Sequence, residues 1–161
     1  TQGQLESDAS GTGSFTIPYQ PTTFNFAVEV RVQIVGLTQK NGGFFMITTP
    51  QAGQKDGYQC GIADLKGEKN RPNGDHPQAN TFLLPGSDVS PGTGSPIDYE
   101  PGPGWRVYRA EIRDGAVSLR IDGVEVGTAS SAESRAISLG PIAFNSDQVI
   151  LRISDVRIVT L

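Results

Sequence analysis

Two acidic residues, Glu111 and Asp114, come nearest in this sequence to a pair of catalytic carboxylates. Glycosidases that retain anomeric configuration hold two carboxyl groups about 5 Å apart beside the substrate. Residues three positions apart on a strand point to opposite faces, and Asp114-Gly115 is a dipeptide that favours a hairpin turn. The spacing therefore argues against a retaining glycosidase built on these two residues.

The sequence contains one histidine, His76, and one cysteine, Cys60. His76 lies in an Asn-Gly-Asp-His-Pro segment that is typical of a turn, so we interpret it as a solvated loop residue or, alternatively, as a ligand contact. A zinc site would have to combine His76 with carboxylates, and no metal-binding motif supports one. Cys60 lies in an apolar segment and is predicted to be a small buried residue without a disulfide partner.

Trp105, the only tryptophan, opens a predicted strand and shares a face with Arg109. Aromatic rings can stack on the apolar face of a sugar while charged and amide groups hold its hydroxyls. Two interpretations stay open at this stage. Trp105 is either a stacking platform with Arg106 or Arg109 beside it, or a core residue folded under the loop before it. Tyr99, in that loop, is the next aromatic candidate.

The elements that must position these residues are strands joined by tight turns. Residues 104–127 are predicted to form three antiparallel strands, because apolar and polar residues alternate over 107–112 and again over 117–122. Asp114-Gly115 and Asp122-Gly123 separate these strands. Both dipeptides supply the positive φ angles that two-residue hairpins require.

A segment rich in proline and glycine, residues 64–104, interrupts the strand pattern. Long irregular segments in a compact domain are usually functional or disordered. We expect two loops, 66–79 and 85–103, to build a ligand-binding surface. Residues 1–13 are predicted to be a flexible lead-in or linker, and residues 14–161 a single domain.

Composition excludes two classes of partner. The net charge is -4, which argues against a nucleic-acid backbone. No apolar run approaches membrane-spanning length, so membrane insertion is not expected. Twenty glycines and eleven prolines suit many short strands and turns. Because the chain begins at Thr1 rather than Met, we expect a processed or excised piece.

The strand Ile121-Asp-Gly-Val-Glu-Val126, preceded by a hairpin and by Trp105, resembles the concanavalin A-like lectin/glucanase (laminin-G-like) domains. Four further segments fit the order of one branch of these domains, the 3-keto-disaccharide hydrolase-like proteins: Phe24–Val32, Asn41–Phe45, Asp56–Asp64 and Val149–Ile158. The resemblance spans roughly residues 14–161. It implies an all-β jelly-roll sandwich of two antiparallel sheets with long loops and little helix.

In that branch the strand ending at the position of Asp64 often has the form Gly-Tyr-Glu-x-Gln-x-x-Asp. Here Gln59 stands in place of the glutamate and Gly61 in place of the glutamine. The resemblance implies that Gln59 and Asp64 lie on the ligand-binding face, while the loss of the glutamate weakens the case for hydrolase chemistry. A second interpretation of Asp64 is a residue that caps the loop after its strand.

The resemblance also implies a structural calcium ion, with Asp155 as one ligand, because such domains often hold one near the last strand. Hard oxygen ligands suit calcium. Alternatively, Asp155 is a solvent-facing residue paired with Arg157 or Arg152. An extracellular or cell-surface location is a further implication of the resemblance.

Three functions are weighed from these observations. The first is a non-catalytic carbohydrate-binding module of a secreted or surface polysaccharide-processing protein, with these ligand-binding residues: Trp105, Arg109, Tyr99, Asp64, His76 and Gln59. The second is a glycoside hydrolase of the 3-keto-disaccharide hydrolase-like kind, using Asp64, His76 and Glu29. The third is a structural or adhesive subunit that assembles through exposed edge strands. The expected partner is an oligo- or polysaccharide, with self-association and attachment to other domains left open.

Overall fold

The fold is given by a computed structural model that describes residues 3–7, 10–38, 42–49, 57–65, 76–84, 96–130 and 141–161. Within these ranges the chain forms twelve β-strands and no α-helix. The strands are β1 (Leu5–Glu6), β2 (Gly13–Thr16), β3 (Phe26–Leu37), β4 (Phe44–Thr48), β5 (Gly57–Ala63), β6 (Gln78–Leu84), β7 (Ile97–Asp98), β8 (Trp105–Arg113), β9 (Ala116–Ile121), β10 (Val124–Ser130), β11 (Ala143–Asp147) and β12 (Val149–Thr160). The described part of the chain also contains no helix long and apolar enough to span a membrane.

The strands form two antiparallel six-stranded sheets packed on a common core. The first sheet has the order β1-β12-β3-β8-β9-β10, and the second has the order β2-β11-β4-β5-β6-β7. Strands adjacent in a sheet are often distant in the chain, as β12 and β3 are. This arrangement confirms the all-β jelly-roll sandwich that the resemblance implies.

Alternating residues build the core between the sheets. In β3, Val28, Val30 and Val32 are buried, whereas Glu29 and Arg31 lie on the outer face. This follows from the two-residue period of a strand, in which successive side chains point to opposite faces. Each buried valine contributes about 1.5–3 kcal/mol relative to an exposed one.

Aromatic side chains join the two sheets across the core. Phe45 of the second sheet packs edge-on against Tyr108 of the first, with ring centroids 4.8 Å apart. Phe26 and Tyr58 make a second contact between the sheets, with their rings tilted by 57° and their centroids 6.4 Å apart. The interpretation of Cys60 as a small buried residue is confirmed, since it is fully buried and reduced. Its burial raises the pKa of the thiol.

The hairpins predicted from the Asp-Gly dipeptides are present. Asp114 and Gly115 have φ angles of 51° and 79°, and Asp122 and Gly123 have 51° and 84°. They connect β8 to β9 and β9 to β10. Local turn chemistry therefore determines this half of the first sheet.

A difference from the expected pattern lies at β11. Asn145, Ser146 and Asp147 are residue types that favour turns, but they continue the strand. β11 lies between β2 and β4, and this pairing on both sides outweighs the local preference. The turn falls at Gln148, which has a φ of 59°. From there the chain crosses to β12 of the first sheet.

The N-terminal residues contribute an edge strand. Leu5 and Glu6 pair with Ile153 and Arg152 of β12, and Glu6 forms an ion pair of 2.6 Å with Arg152. Part of the predicted lead-in, residues 1–13, is therefore hydrogen-bonded to the first sheet. The proposed domain boundary at residue 14 stays a prediction.

Candidate ligand-binding site

The outer face of the second sheet carries the clearest candidate site, and β4 forms its centre. Phe45 and Ile47 are buried in the core, so the alternate residues of β4 point outward. These are Phe44, which is 36% exposed, and the more sheltered Met46 and Thr48. An exposed aromatic ring thus lies at one end of a row of otherwise buried side chains.

The next strand, β5, adds a polar group to this face. Tyr58, Cys60 and Ile62 are buried in the core, which leaves Gln59 on the outer face. Gln59 lies opposite Thr48 in the β4–β5 ladder. Gln59 therefore shares the outer face with Met46 and Thr48, and its role as a ligand contact stays a prediction.

Gly61 leaves space at the base of this site because it has no side chain. It lies opposite Met46, and a Cβ at this position would overlap the Phe45 carbonyl oxygen and lie 3.0 Å from the Met46 sulfur. Glycine therefore lets the Met46 side chain lie against the sheet. The glutamine expected at this position from the resemblance could not be accommodated without moving β4.

On the other side of β4, β11 contributes an amide and a carboxylate. Asn145 lies opposite Met46, and Asp147 lies opposite Phe44. The Ser14 hydroxyl donates a hydrogen bond of 2.6 Å to Asn145 Oδ1, and the Thr12 hydroxyl donates one of 2.5 Å to Asp147 Oδ1. Both outward side chains are thus oriented by residues of the neighbouring segment.

Turn residues close one end of this face. Asp64 follows β5 with a φ of 52° and is 7% exposed. Its neighbour Leu65 donates a backbone hydrogen bond of 3.1 Å to the Gly43 carbonyl oxygen, which ties the β5 end to the turn before β4. A short polar side chain such as aspartate tolerates this left-handed backbone better than most residues.

These elements enclose a pocket of about 650 Å³. Its described lining residues are Gly42, Gly43, Phe44, Met46, Thr48, Gln59, Ala63, Asp64, Asn145, Asp147 and Gln148. The lining combines one exposed ring, three amides, two carboxylates and a hydroxyl, carried by β4, β5, β11 and the turns beside them. Such a mixture of apolar surface and convergent polar groups is typical of small-molecule sites.

The same face continues past β5 onto β6. Asn80 lies opposite Gly61, and Phe82 lies opposite Gln59. Asn80 Oδ1 is buried and has no hydrogen-bond partner within the described ranges. A buried acceptor without a partner is uncommon in folded proteins.

Trp105 lies on the opposite side of the sandwich. It is half-buried on the outer face of the first sheet, opposite Gln33, so it is not a core residue. The Arg31 guanidinium lies over its ring at 4.8 Å from the centroid. This cation–π contact occupies one face of the indole.

Arg109 is on the same face as Trp105 but is engaged by acidic residues. Its guanidinium donates to Glu29 Oε1 at 2.6 Å and to Glu111 Oε2 at 3.0 Å. Partial burial alone would raise the pKa of Glu111, but the hydrogen bond from Arg109 and the surrounding guanidinium charges outweigh it and lower that pKa. Arg109 thus acts as the centre of a cross-strand ion-pair network.

Tyr99 and His76 lie near the edge of the second sheet. The Tyr99 backbone N–H donates to the Pro77 carbonyl oxygen at 2.9 Å, and its side chain packs partly against the core. Burial raises the pKa of the Tyr99 hydroxyl. His76 is exposed and lies two residues before β6. The predicted binding loops 66–79 and 85–103 fall largely outside the described residues, at 66–75 and 85–95.

Asp155 lies exposed on β12, at a register shift opposite β3. Its Oδ2 accepts a hydrogen bond of 3.3 Å from the Ser154 hydroxyl. In the described part of the chain, no three histidine, cysteine or acidic side chains converge in a way that could hold a metal ion. That finding concerns clusters of side chains, whereas a calcium ion also takes backbone carbonyl ligands. The calcium ion with Asp155 as one ligand stays a prediction from the resemblance.

The structure thus divides the predicted site residues between two surfaces. Gln59 and Asp64 line the pocket on the second sheet. Trp105 and Arg109 lie on the outer face of the first sheet. The pocket residues that sequence reasoning missed are Phe44, Met46, Thr48, Asn145, Asp147 and Gln148. The alternation of Phe44, Met46 and Thr48 with buried residues was the available clue for β4.

Solved structures with a similar fold include a carbohydrate-binding module, CBM66 from Bacillus subtilis (TM-score 0.65, 13% identity, 96% of this chain and 86% of that one). Another is a β-1,3-glucanase from Mycobacterium marinum (TM-score 0.61, 10% identity, 98% of this chain and 74% of that one). A third is sheep galectin-11 (TM-score 0.54, 11% identity, 92% of this chain and 98% of that one). The chain has the concanavalin A-like lectin/glucanase fold, which confirms the resemblance at that level. No family model and no curated protein matches the sequence.

Proposed function

We propose that this concanavalin A-like sandwich is a non-catalytic carbohydrate-binding module whose ligand binds in the pocket on the second sheet. The observation that carries the proposal is the pocket itself, where the exposed Phe44 ring lies beside amides and carboxylates held on β4, β5 and β11. Sugars present apolar ring faces and many hydroxyls. An aromatic surface next to convergent hydrogen-bonding groups is the arrangement that recognises both.

Each group has a role in this proposal. The Phe44 ring packs against an apolar sugar face. Gln59 and Asn145 donate and accept hydrogen bonds with sugar hydroxyls, since amides can do both. Asp64 and Asp147 accept hydrogen bonds from hydroxyls, and bonds to a charged acceptor are stronger than neutral ones.

The charge of the lining supports uncharged sugars as the ligand class. The described lining residues include the carboxylates of Asp64 and Asp147 but no lysine or arginine. A uronate or sulfated sugar would bring negative charge next to these groups, and like charges in a sheltered site repel. Neutral oligosaccharides avoid this cost.

The positions of Asp64 and Glu29 argue against the hydrolase alternative, which would use both as catalytic carboxylates. The alternative enzyme would use Asp64, His76 and Glu29. Asp64 lines the pocket, whereas Glu29 lies on the outer face of the first sheet in an ion pair with Arg109. Two carboxylates on opposite sides of a sandwich cannot flank one glycosidic bond. The similar structures include both a binding module and a glucanase, so this argument rests on the residues.

This function would place the protein outside the cell or at its surface, as one module of a polysaccharide-processing protein. Oligosaccharides or polysaccharides would be its partners. This location follows from the proposed ligand, since polysaccharides are abundant in that compartment.

Isothermal titration with a panel of neutral oligosaccharides and oligouronates tests the proposal. We expect Phe44→Ala and Gln59→Ala each to weaken binding of a neutral ligand about tenfold, equal to a loss of about 1.4 kcal/mol. Phe24→Ala and Gln33→Ala are matched controls, since Phe24 is 49% exposed and Gln33 lies on the other sheet. These controls should bind normally.

Three results would contradict the proposal. One is no binding by any neutral oligosaccharide, and another is equal loss of binding in Phe44→Ala and Phe24→Ala. The third is release of new reducing ends from a bound oligosaccharide on prolonged incubation. That last result would favour the hydrolase alternative.

A further inference from the structure

The last strand, β12, is an interior strand over only part of its length. Its pairing with β3 runs along the whole strand. On its other side, β1 covers only Arg152 and Ile153, opposite Glu6 and Leu5. Within the described ranges, residues 154–158 have no strand on that side, and we call this segment the open edge. The backbone N–H and C=O groups of this segment that point away from β3 are not paired by any described strand, as at the exposed edge of a sheet.

Apolar side chains are exposed beside the open edge. Val156 is 37% exposed, Leu5 59% and Tyr19 49%. Together with Phe15 and Ile158 they border a mainly apolar groove of about 610 Å³ between the edges of the two sheets. Clustered apolar exposure of this kind marks an interaction surface more often than isolated exposed residues do.

The charges of the open edge indicate what pairs with it. Asp155 and Arg157 are both exposed, and neither forms an ion pair with another described residue. If two copies paired antiparallel about Val156, Asp155 of each would lie opposite Arg157 of the other. Moving the centre of the pairing from Val156 to Arg157 or to Asp155 would place Arg157 opposite Arg157, or Asp155 opposite Asp155. The segment is therefore self-complementary in one register.

We propose that the open edge pairs with the open edge of a second copy of this chain, forming a two-fold symmetric dimer. The first sheet of one protomer continues into the first sheet of its partner through antiparallel pairing of residues 154–158. The two Val156 side chains meet on the core side near the two-fold axis, and the groove beside them is covered. A symmetric interface of this type uses the same patch on both copies. The inference does not depend on the proposed sugar site.

Sedimentation equilibrium of the whole chain, with charge variants, tests this proposal. The monomer mass is 17.1 kDa, and the mass of the natural sequence should rise towards twice that value with concentration. Asp155→Arg should raise the dimer dissociation constant about tenfold, because two opposite-charge pairs become like-charge pairs. Arg157→Asp should have a similar effect. The double variant Asp155→Arg with Arg157→Asp restores opposite charges and should restore dimerisation.

A matched pair of valine substitutions separates the open edge from general surface effects. Val156→Lys should weaken the dimer, whereas Val124→Lys should not, because Val124 is exposed on the edge strand β10 at the other side of the first sheet. Circular dichroism melting should be the same for these exposed variants at a concentration where all are monomeric.

Several results would overturn the proposal. A mass of 17.1 kDa at all concentrations up to about 1 mM would exclude the dimer. A double charge variant no better than the single ones would exclude the register. Equal weakening by Val124→Lys would place the interface elsewhere.

Discussion

At the scale of single residues, Gly61 does most to shape the pocket. Its lack of a side chain lets Met46 lie against the sheet between Asn145 and Gly61 in the cross-strand row. A Cβ at position 61 would overlap the backbone of Phe45 and crowd Met46. The site therefore depends on a residue that contributes no functional group.

Gly61→Ala should lower the free energy of unfolding by about 3 kcal/mol, because the clash is with backbone atoms in a paired strand that has little room to move. Chemical denaturation measures the change. Gly36→Ala is the matched control, since Gly36 also lies in a strand but has open space where its Cβ would be. The control should change stability by less than about 0.5 kcal/mol. Equal stability of the two variants would show that β4 can shift away from β5.

At the scale of elements, strands β3, β8 and β9 are joined by an ion-pair network on the outer face of the first sheet. Arg109 of β8 binds Glu29 of β3 and Glu111 of its own strand. The Nε atom of Arg120 in β9 lies 4.0 Å from Glu111 Oε2. The side chains of Arg109, Glu29 and Glu111 are only 16–26% exposed, so water screens them less than a fully exposed pair.

Arg109→Met should lower the free energy of unfolding by about 2 kcal/mol, because it leaves two partly buried carboxylates without their shared partner. Arg113→Met should cost at most about 0.5 kcal/mol, since Arg113 is 55% exposed and forms a single longer pair with Glu111. Thermal denaturation at neutral pH compares them. Equal melting temperatures of the two variants would show that the network contributes little to the stability of the fold.

At the scale of the whole molecule, local patterns predicted strands and the resemblance predicted the sandwich, but neither predicted most of the pocket. Alternation and Asp-Gly turns predicted β8, β9 and β10, because a hairpin depends on residues close in sequence. The pocket is built from residues 42–48, 59–64 and 145–148, which meet only through the register of β11, β4 and β5. No local pattern in the sequence predicts that register. The residue types of Asn145–Asp147 favour a turn, so the sequence did not indicate that β11 extends through them.

The same limit explains the position of Trp105. Its strand period correctly placed Trp105 and Arg109 on one face, but a period does not say which sheet bears the ligand. In the folded chain the two candidate surfaces lie on opposite sides of the sandwich. The indole is held by Arg31 on the side away from the pocket.

The most direct test of the proposed binding surface is an amide and indole chemical-shift map recorded during titration with a neutral oligosaccharide. The proposed site predicts that the largest shifts occur at Phe44, Gln59 and Asn145, which line the pocket. The indole N–H of Trp105 should stay unchanged, because it lies on the other sheet. Shifts concentrated around Trp105 and Arg31, with β4 and β5 unaffected, would contradict the account and place sugar binding on the first sheet.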